Sequence, residues 1–318
     1  MEYFFTARRR SQGRYTDSIG PIRYLAVPED QPITPDFEKS PGAWFDEVQA
    51  AAGGLRSSHG NIVFYVHGFN TEQAEMRARH RKIAHGLRAN NFGCVLVSFD
   101  WPSDGVLLSY FDDRQDARLA ANHLLNQGIE PLAERQEPDC VVDIHIIAHS
   151  MGCFLVREAF DYADDRHRVA QTNWTVAQVA FVAADVSAKS MALGNPKSSS
   201  LLRHTTRLTN YYSPFDEILS ISSTKRIGVS RRLGRIGLPE LRDEKAVNLY
   251  CGGHYELTRG AYSGTGASHW WYFEAPRFYE DLAHTLSGAL DRNAIPGRSP
   301  TTGGNLALMP VVAETLVV

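Results

Sequence analysis

The chain has 318 residues, 43% of them hydrophobic and 22% charged, enough to bury a large core, and its formal net charge of −3 offers no field for nucleic acid or an anionic membrane surface. No apolar run approaches the roughly 18 residues of a membrane span. Small, near-neutral substrates suit this balance best. We expect one domain over residues 1–318, with a core at about 61–290, an N-terminal extension over 1–60 and a tail over 292–318. The tail contains a Gly/Pro/Thr-rich break and is free to be loose. Residues 1–10 place three aromatic residues ahead of an arginine run, the reverse of a signal peptide. Cys94, Cys140, Cys153 and Cys251 form no C-x-x-C pair and read as reduced thiols, so a cytoplasmic location is the expectation.

In chain order, short apolar or β-branched runs at 62–66, 94–99, 144–148, 176–183, 207–211 and 246–251 read as buried strands. Amphipathic stretches at 71–87, 112–127, 151–162 and 276–290 read as helices; the last carries Phe278, Leu282 and Leu286 at four-residue spacing. Strands alternating with helices predict an α/β fold, with a mostly parallel central sheet covered on both faces. Such a sheet binds its ligand beyond the carboxyl ends of the strands.

The first strand ends in Phe64-Tyr65-Val66-His67-Gly68-Phe69-Asn70. Its glycine permits a tight turn that aims backbone N–H groups into the crevice. That makes an oxyanion hole from the N–H groups of Phe69 and Met151, about 3 kcal/mol of transition-state stabilisation per donor, or else an ordinary strand-to-helix turn. The run at 144–148 leads into Ala148-His149-Ser150-Met151-Gly152 and at once into an apolar helix. This strand, sharp turn and helix is the setting of a nucleophile elbow, with small residues two positions either side of Ser150. The competing reading makes Ser150 a helix N-cap. His149, whose side chain must diverge from its neighbour's, reads as structural.

A serine nucleophile needs a base, and the base an orienting carboxylate. Asp216, in Ser213-Pro214-Phe215-Asp216 after the strand at 207–211, is the first candidate for the acid, and Asp185 after 176–183 is the second. Either also suits a turn or a cap. For the base, His254 follows the last strand in Gly252-Gly253-His254. His269 stands in Ser268-His269-Trp270-Trp271 ahead of the final helix, and position alone leaves both open. His284 falls off the apolar stripe of that helix and reads as a surface residue.

These features together resemble the α/β-hydrolase family catalogued as domain of unknown function nine hundred, over about residues 61–286. The resemblance rests on Val66-His67-Gly68-Phe69-Asn70-Thr71, on Trp101-Pro102-Ser103, on Tyr110 with Asp113, and on Ala148-His149-Ser150-Met151-Gly152. It continues through Tyr211-Tyr212-Ser213 ahead of Asp216, Arg232-Leu233-Gly234 with Gly237, and a histidine followed by aromatics before the last helix. It departs from the family pattern in the Gly- and Ser-rich stretch 251–267. The resemblance implies an α/β-hydrolase fold and favours His269, within hydrogen-bond reach of Ser150, over His254. Trp101, Tyr212, Trp270 and Trp271 fall near the crevice and are candidates to line a substrate pocket, core packing being the alternative. Arg231, Arg232 and Arg235 read as a solvated basic loop. The stretch from Asp185 through Ser198-Ser199-Ser200 is short, so any cap is small or absent.

The expected chemistry is a Ser150–His269–Asp216 carboxylesterase working through an acyl-enzyme on a small-molecule ester, without metal or organic cofactor. Alternatives are an interfacial lipase or phospholipase, and a non-catalytic binding protein on the same scaffold.

Overall fold

Apolar runs without polar alternation must be covered on both faces, and here they form the middle of one sheet. The computed structural model describes residues 1–53, 60–103, 110–133, 135, 142–166, 174–224, 231–239, 244–302 and 304–310. Its strands are β1 (Glu2–Ser11), β2 (Arg14–Val27), β3 (Glu38–Lys39), β4 (Gly60–Val66), β5 (Val95–Asp100), β6 (Val142–His149), β7 (Val176–Val182), β8 (Thr205–Tyr212), β9 (Ala246–Tyr250), β10 (Arg298–Pro300) and β11 (Leu306–Leu308). They make one eleven-stranded sheet in the order β10-β11-β9-β8-β7-β6-β4-β5-β1-β2-β3. From β11 to β1 every neighbouring pair is parallel, while β2, β3 and β10 add antiparallel edges.

Chain order reverses direction across this sheet at β4. Strand β5 lies on one side of β4 and β6 on the other, so a crevice opens between the carboxyl ends of β4 and β6, where such sheets bind ligands. Val66 pairs with Ala148 at that end. The Gly68 turn and Ser150 therefore emerge side by side.

Helices cover both faces. Ile144, Ile146 and Ala148 of β6 face a core shared with Trp44, Leu124, Phe154 and Phe160. Ile147 faces the opposite core, with Leu87, Phe278, Leu282 and Leu286. The sequence helices appear as Gln73–Ala89, Tyr110–Leu124 (continued by a π turn, Leu125–Ile129), Met151–Asp164 and Pro276–Ser287. No helix among the described residues is long and apolar enough to cross a membrane.

Both ends of the chain correct the expected core limits. The supposed extension contains β1, parallel to β5 with Phe4 opposite Ser98. Phe4 and Phe5 are fully buried on opposite faces. The tail contributes β11, paired with β9 through Leu306 and Leu249. It is fastened where Arg298 of β10 donates to both carboxylate oxygens of buried Asp281, at 2.6 and 2.7 Å. Residues 311–318 and Cys140 lie outside the described residues. Cys94, Cys153 and Cys251 are free thiols, the last two buried.

Four buried histidines make the fold acid-sensitive. Loss of hydration pushes His67 and His80 down to about 4 and His145 to about 3, and holds His149 well below 6.5. Each folded pKa lies below its unfolded value, so the unfolded chain binds more protons once the pH drops under about 6.5. Stability is thus full above that point and is lost toward about pH 4, by about 1.4 kcal/mol per pH unit per histidine at the limit. Urea midpoints at pH 7.5, 6 and 5 should fall progressively; a flat series would contradict neutral burial of these rings.

Candidate active site

Ser150 sits at φ 55°, ψ −120°, a backbone conformation that L-residues avoid and that persists only when the surroundings impose it. Here they do. The Ser150 N–H donates to Val182 O at 3.0 Å, and its carbonyl accepts from the N–H groups of Asp185 (3.0 Å) and Cys153 (3.1 Å). The turn is thereby tied to the end of β7 and to its own helix. A Cβ on Gly152 would run into Val66 O and lie 2.6 Å from His67 O, so the small residue at this position answers a direct clash with β4. Gly152→Ala should destabilise the fold by about 1–3 kcal/mol or more, as overpacking against rigid backbone does. An unchanged urea midpoint would show that the elbow is looser than this.

The Gly68 turn is held from below by His67. Its ring is fully buried, stacks on Trp101 at 5.4 Å, and accepts the Trp101 N–H at Nε2 (3.2 Å). The remaining ring hydrogen is then on Nδ1, which donates to Gly68 O at 2.9 Å. The Gly68–Phe69 peptide is trans, so fixing its carbonyl toward His67 leaves the Phe69 N–H on the opposite edge of the peptide plane. A Cβ on Gly68 would stand 2.8 Å from Ser150 Cβ, which shows how closely the turn and Ser150 approach. Met151 opens its helix, so its N–H has no intrahelical acceptor.

Behind this turn lies a charged network absent from the sequence expectations. Arg8 of β1 donates to Asp100 Oδ1 at 2.8 Å and to Thr71 O at 3.2 Å. Thr6 and Gln73 donate to the other Asp100 oxygen at 2.9 and 2.8 Å. Ser103 Oγ accepts the Thr71 N–H at 3.1 Å. The position of Asp100 at the carboxyl end of a strand was a usable signal; Arg8, within an arginine run, gave none.

Asp216 and His269 are joined. Nδ1 of His269 donates to Asp216 Oδ2 at 2.7 Å, and the carboxylate is completely buried. Its other oxygen accepts the Leu219 N–H at 2.9 Å, so Asp216 also caps the helix Glu217–Thr224 and is fixed at both oxygens. His269 lies in a one-turn helix, Ala267–Trp270, rather than in a loop. That turn is docked on the Asp216 helix where Ser268 Oγ accepts the Glu217 N–H at 3.2 Å. The described residues contain no hydrogen bond between Ser150 Oγ and His269, in contrast to the expected reach; such contacts tighten when substrate binds.

The rival candidates are engaged elsewhere. Asp185 pairs with Arg232 at 2.9 Å, both buried, so Arg232 belongs to no solvated loop. A Cβ on Gly234 would clash with the backbone of Ala183 and Ala184, and its N–H donates to Ala184 O at 2.9 Å. Arg232-Leu233-Gly234 is therefore a strap laid across the end of β7. His254 falls in the helix Gly252–Thr258, its buried ring stacked on Trp271 at 5.4 Å.

The proposed pocket aromatics are also corrected. Trp101 and Trp271 are fully buried, and Tyr212 is buried edge-on against Tyr250. Their apolar area is worth more in the core than beside water. Trp270 alone of the four is partly exposed, in a cleft of about 220 Å³ with Arg79, Lys82 and Phe273. No cluster of His, Cys, Asp or Glu among the described residues is arranged to hold a metal ion.

An uncharacterized protein of Nostoc sp. is 24% identical over 238 residues, covering 61% of this chain and 60% of that relative, so the chain spans less than two thirds of its length. A putative cell surface hydrolase from Lactobacillus plantarum is 10% identical, with a TM-score of 0.40, over 76% of this chain and 96% of that one. A cutinase-like protein from Cryptococcus sp. is 12% identical, with a TM-score of 0.36, over 71% and 92%. Neither structural likeness bears on chemistry. The profile of the family described as "Alpha/beta hydrolase of unknown function (DUF900)" matches residues 47–274, well over half of the sequence, and the chain belongs to that α/β-hydrolase family.

Proposed function

We propose that this hydrolase is a serine carboxylesterase with Ser150 as nucleophile, His269 as base and Asp216 as its orienting acid. The observation that carries the reading is the 2.7 Å hydrogen bond from His269 Nδ1, in the one-turn helix Ala267–Trp270, to buried Asp216, alongside a serine held at positive φ. With Nδ1–H committed to Asp216, His269 presents a lone pair at Nε2, the tautomer that takes a proton from a hydroxyl. Ser150 Oγ attacks the ester carbonyl, and the oxyanion meets the N–H groups of Phe69 and Met151. His269 returns the proton to the departing alkoxide. Water, activated by the same imidazole, then releases the acid and frees Ser150.

This sequence requires no metal or organic cofactor. Esters are the expected class because their carbonyl is more electrophilic than an amide's and an alkoxide is a far better leaving group than an amide anion. Short p-nitrophenyl esters should turn over far faster than the matching p-nitroanilides; an anilide or thioester preference would overturn the substrate class while leaving the nucleophile in place.

One observation favours a second reading, an interfacial lipase. Phe215, Ile218 and Ile221 flank Asp216 and are 38%, 38% and 49% exposed, an apolar rim beside the base. Activity that rises sharply once the ester forms micelles would support it.

A further inference from the structure

We propose that His149 is the positioning residue of this site: by donating to the backbone carbonyl of His269, it sets where the base stands relative to Ser150. The inference rests on the serine hydrolase reading and adds a residue to it.

His149 precedes the nucleophile, but its side chain turns away from Ser150 into the protein, where the residue is 3% exposed. Its Nε2 lies 3.1 Å from His269 O. A carbonyl can only accept, so the ring hydrogen is on Nε2. That carbonyl belongs to a four-residue helix that runs directly into the 3-10 turn Trp271–Glu274. His149 supplies it with a side-chain donor. Its ring also lies 4.7 Å from the His269 ring and meets Phe273 edge-on at 5.2 Å. On the other side, a Cβ on Gly68 would fall 3.3 Å from His149 Nδ1.

His149 therefore links the elbow, through its own backbone, to the base at His269, with its ring standing behind the Gly68 turn. Its protonation state serves the same end. Burial, together with the neighbouring His269, keeps His149 neutral, so its hydrogen stays on Nε2 and no second positive charge opposes the imidazolium that forms on His269. A phenyl ring in its place would fill the space but remove this donor from His269 O.

The test uses the full-length chain with His149→Phe and His149→Gln, the amide of glutamine being able to restore a donor near Nε2. Three properties are read: kcat and KM on p-nitrophenyl butyrate across pH, the rate of fluorophosphonate labelling, and the downfield proton resonance of His269 Nδ1–H, which requires no turnover. In His149→Phe, kcat and labelling should fall roughly 10- to 100-fold, the scale of a misplaced catalytic group. KM should hold within about twofold, and the acid limb of the kcat profile and the Nδ1–H resonance should both shift. His149→Gln should recover most of the loss. Wild-type kcat, labelling and resonance in His149→Phe would overturn the proposal, as would a glutamine variant no better than phenylalanine. If phenylalanine prevents folding, glutamine against His149→Ala decides on the same readouts. A wild-type protein that takes up no probe would instead refute the serine hydrolase reading, and the resonance would still judge the hold on His269.

Discussion

Ser150→Ala should abolish ester hydrolysis, with kcat falling by about 10⁴-fold or more, and leave the fold intact. Loss of the hydroxyl removes the atom that forms the acyl-enzyme, and what remains is whatever the oxyanion donors and binding provide. The fold should survive because the turn is held by backbone bonds to Val182 and Asp185 that alanine retains. Alanine also carries no greater steric burden at this φ than serine. The melting temperature should stay within a few degrees of wild type, as expected for a change of about 0.5 kcal/mol or less. Residual activity near wild type would remove Ser150 from the mechanism.

Asp216→Asn should cost nearly as much, about 10⁴-fold in kcat, because the amide presents a donor where His269 needs an acceptor and so favours the wrong tautomer. It should cost little stability, since asparagine caps the helix Glu217–Thr224 as well as aspartate does. Asp185→Asn should show the opposite pattern. Its carboxylate faces Arg232 at 2.9 Å with both groups buried, and breaking a buried ion pair costs about 3–5 kcal/mol, while His269 and Asp216 are untouched. Activity per folded molecule should stay near wild type as the melting temperature drops. The reverse ranking would make Asp185 the acid.

The sequence disclosed what depends on local sterics. The elbow was legible because a strained serine between a strand and a helix demands small neighbours, and Gly152 meets the β4 carbonyls directly. The central strands were legible because a sheet covered on both faces admits little else but apolar residues. Whatever depends on closure of distant chain was not. Asp185 and Asp216 both follow strands, and only the fold shows that one faces Arg232 and the other His269, 53 residues away.

Strand β1 was hidden by Arg8, Arg9 and Arg10. The charge of Arg8 is tolerated in the interior because Asp100, 92 residues on, meets it there. The helices at Gly252–Thr258 and Ala267–Trp270 are too short for periodicity to reveal. Burial of Trp101 and Trp271 could not be read from residue type, since aromatics serve cores and pockets alike.

The most direct test is covalent. The wild-type protein, Ser150→Ala and Asp216→Asn are treated with a fluorophosphonate probe, and the modified residue is located by peptide mass spectrometry. The expected result is stoichiometric labelling on Ser150 in wild type, none in Ser150→Ala, and labelling slowed by orders of magnitude in Asp216→Asn. Labelling on another residue, or a wild-type protein that stays unlabelled while fully folded, would contradict Ser150 as the nucleophile.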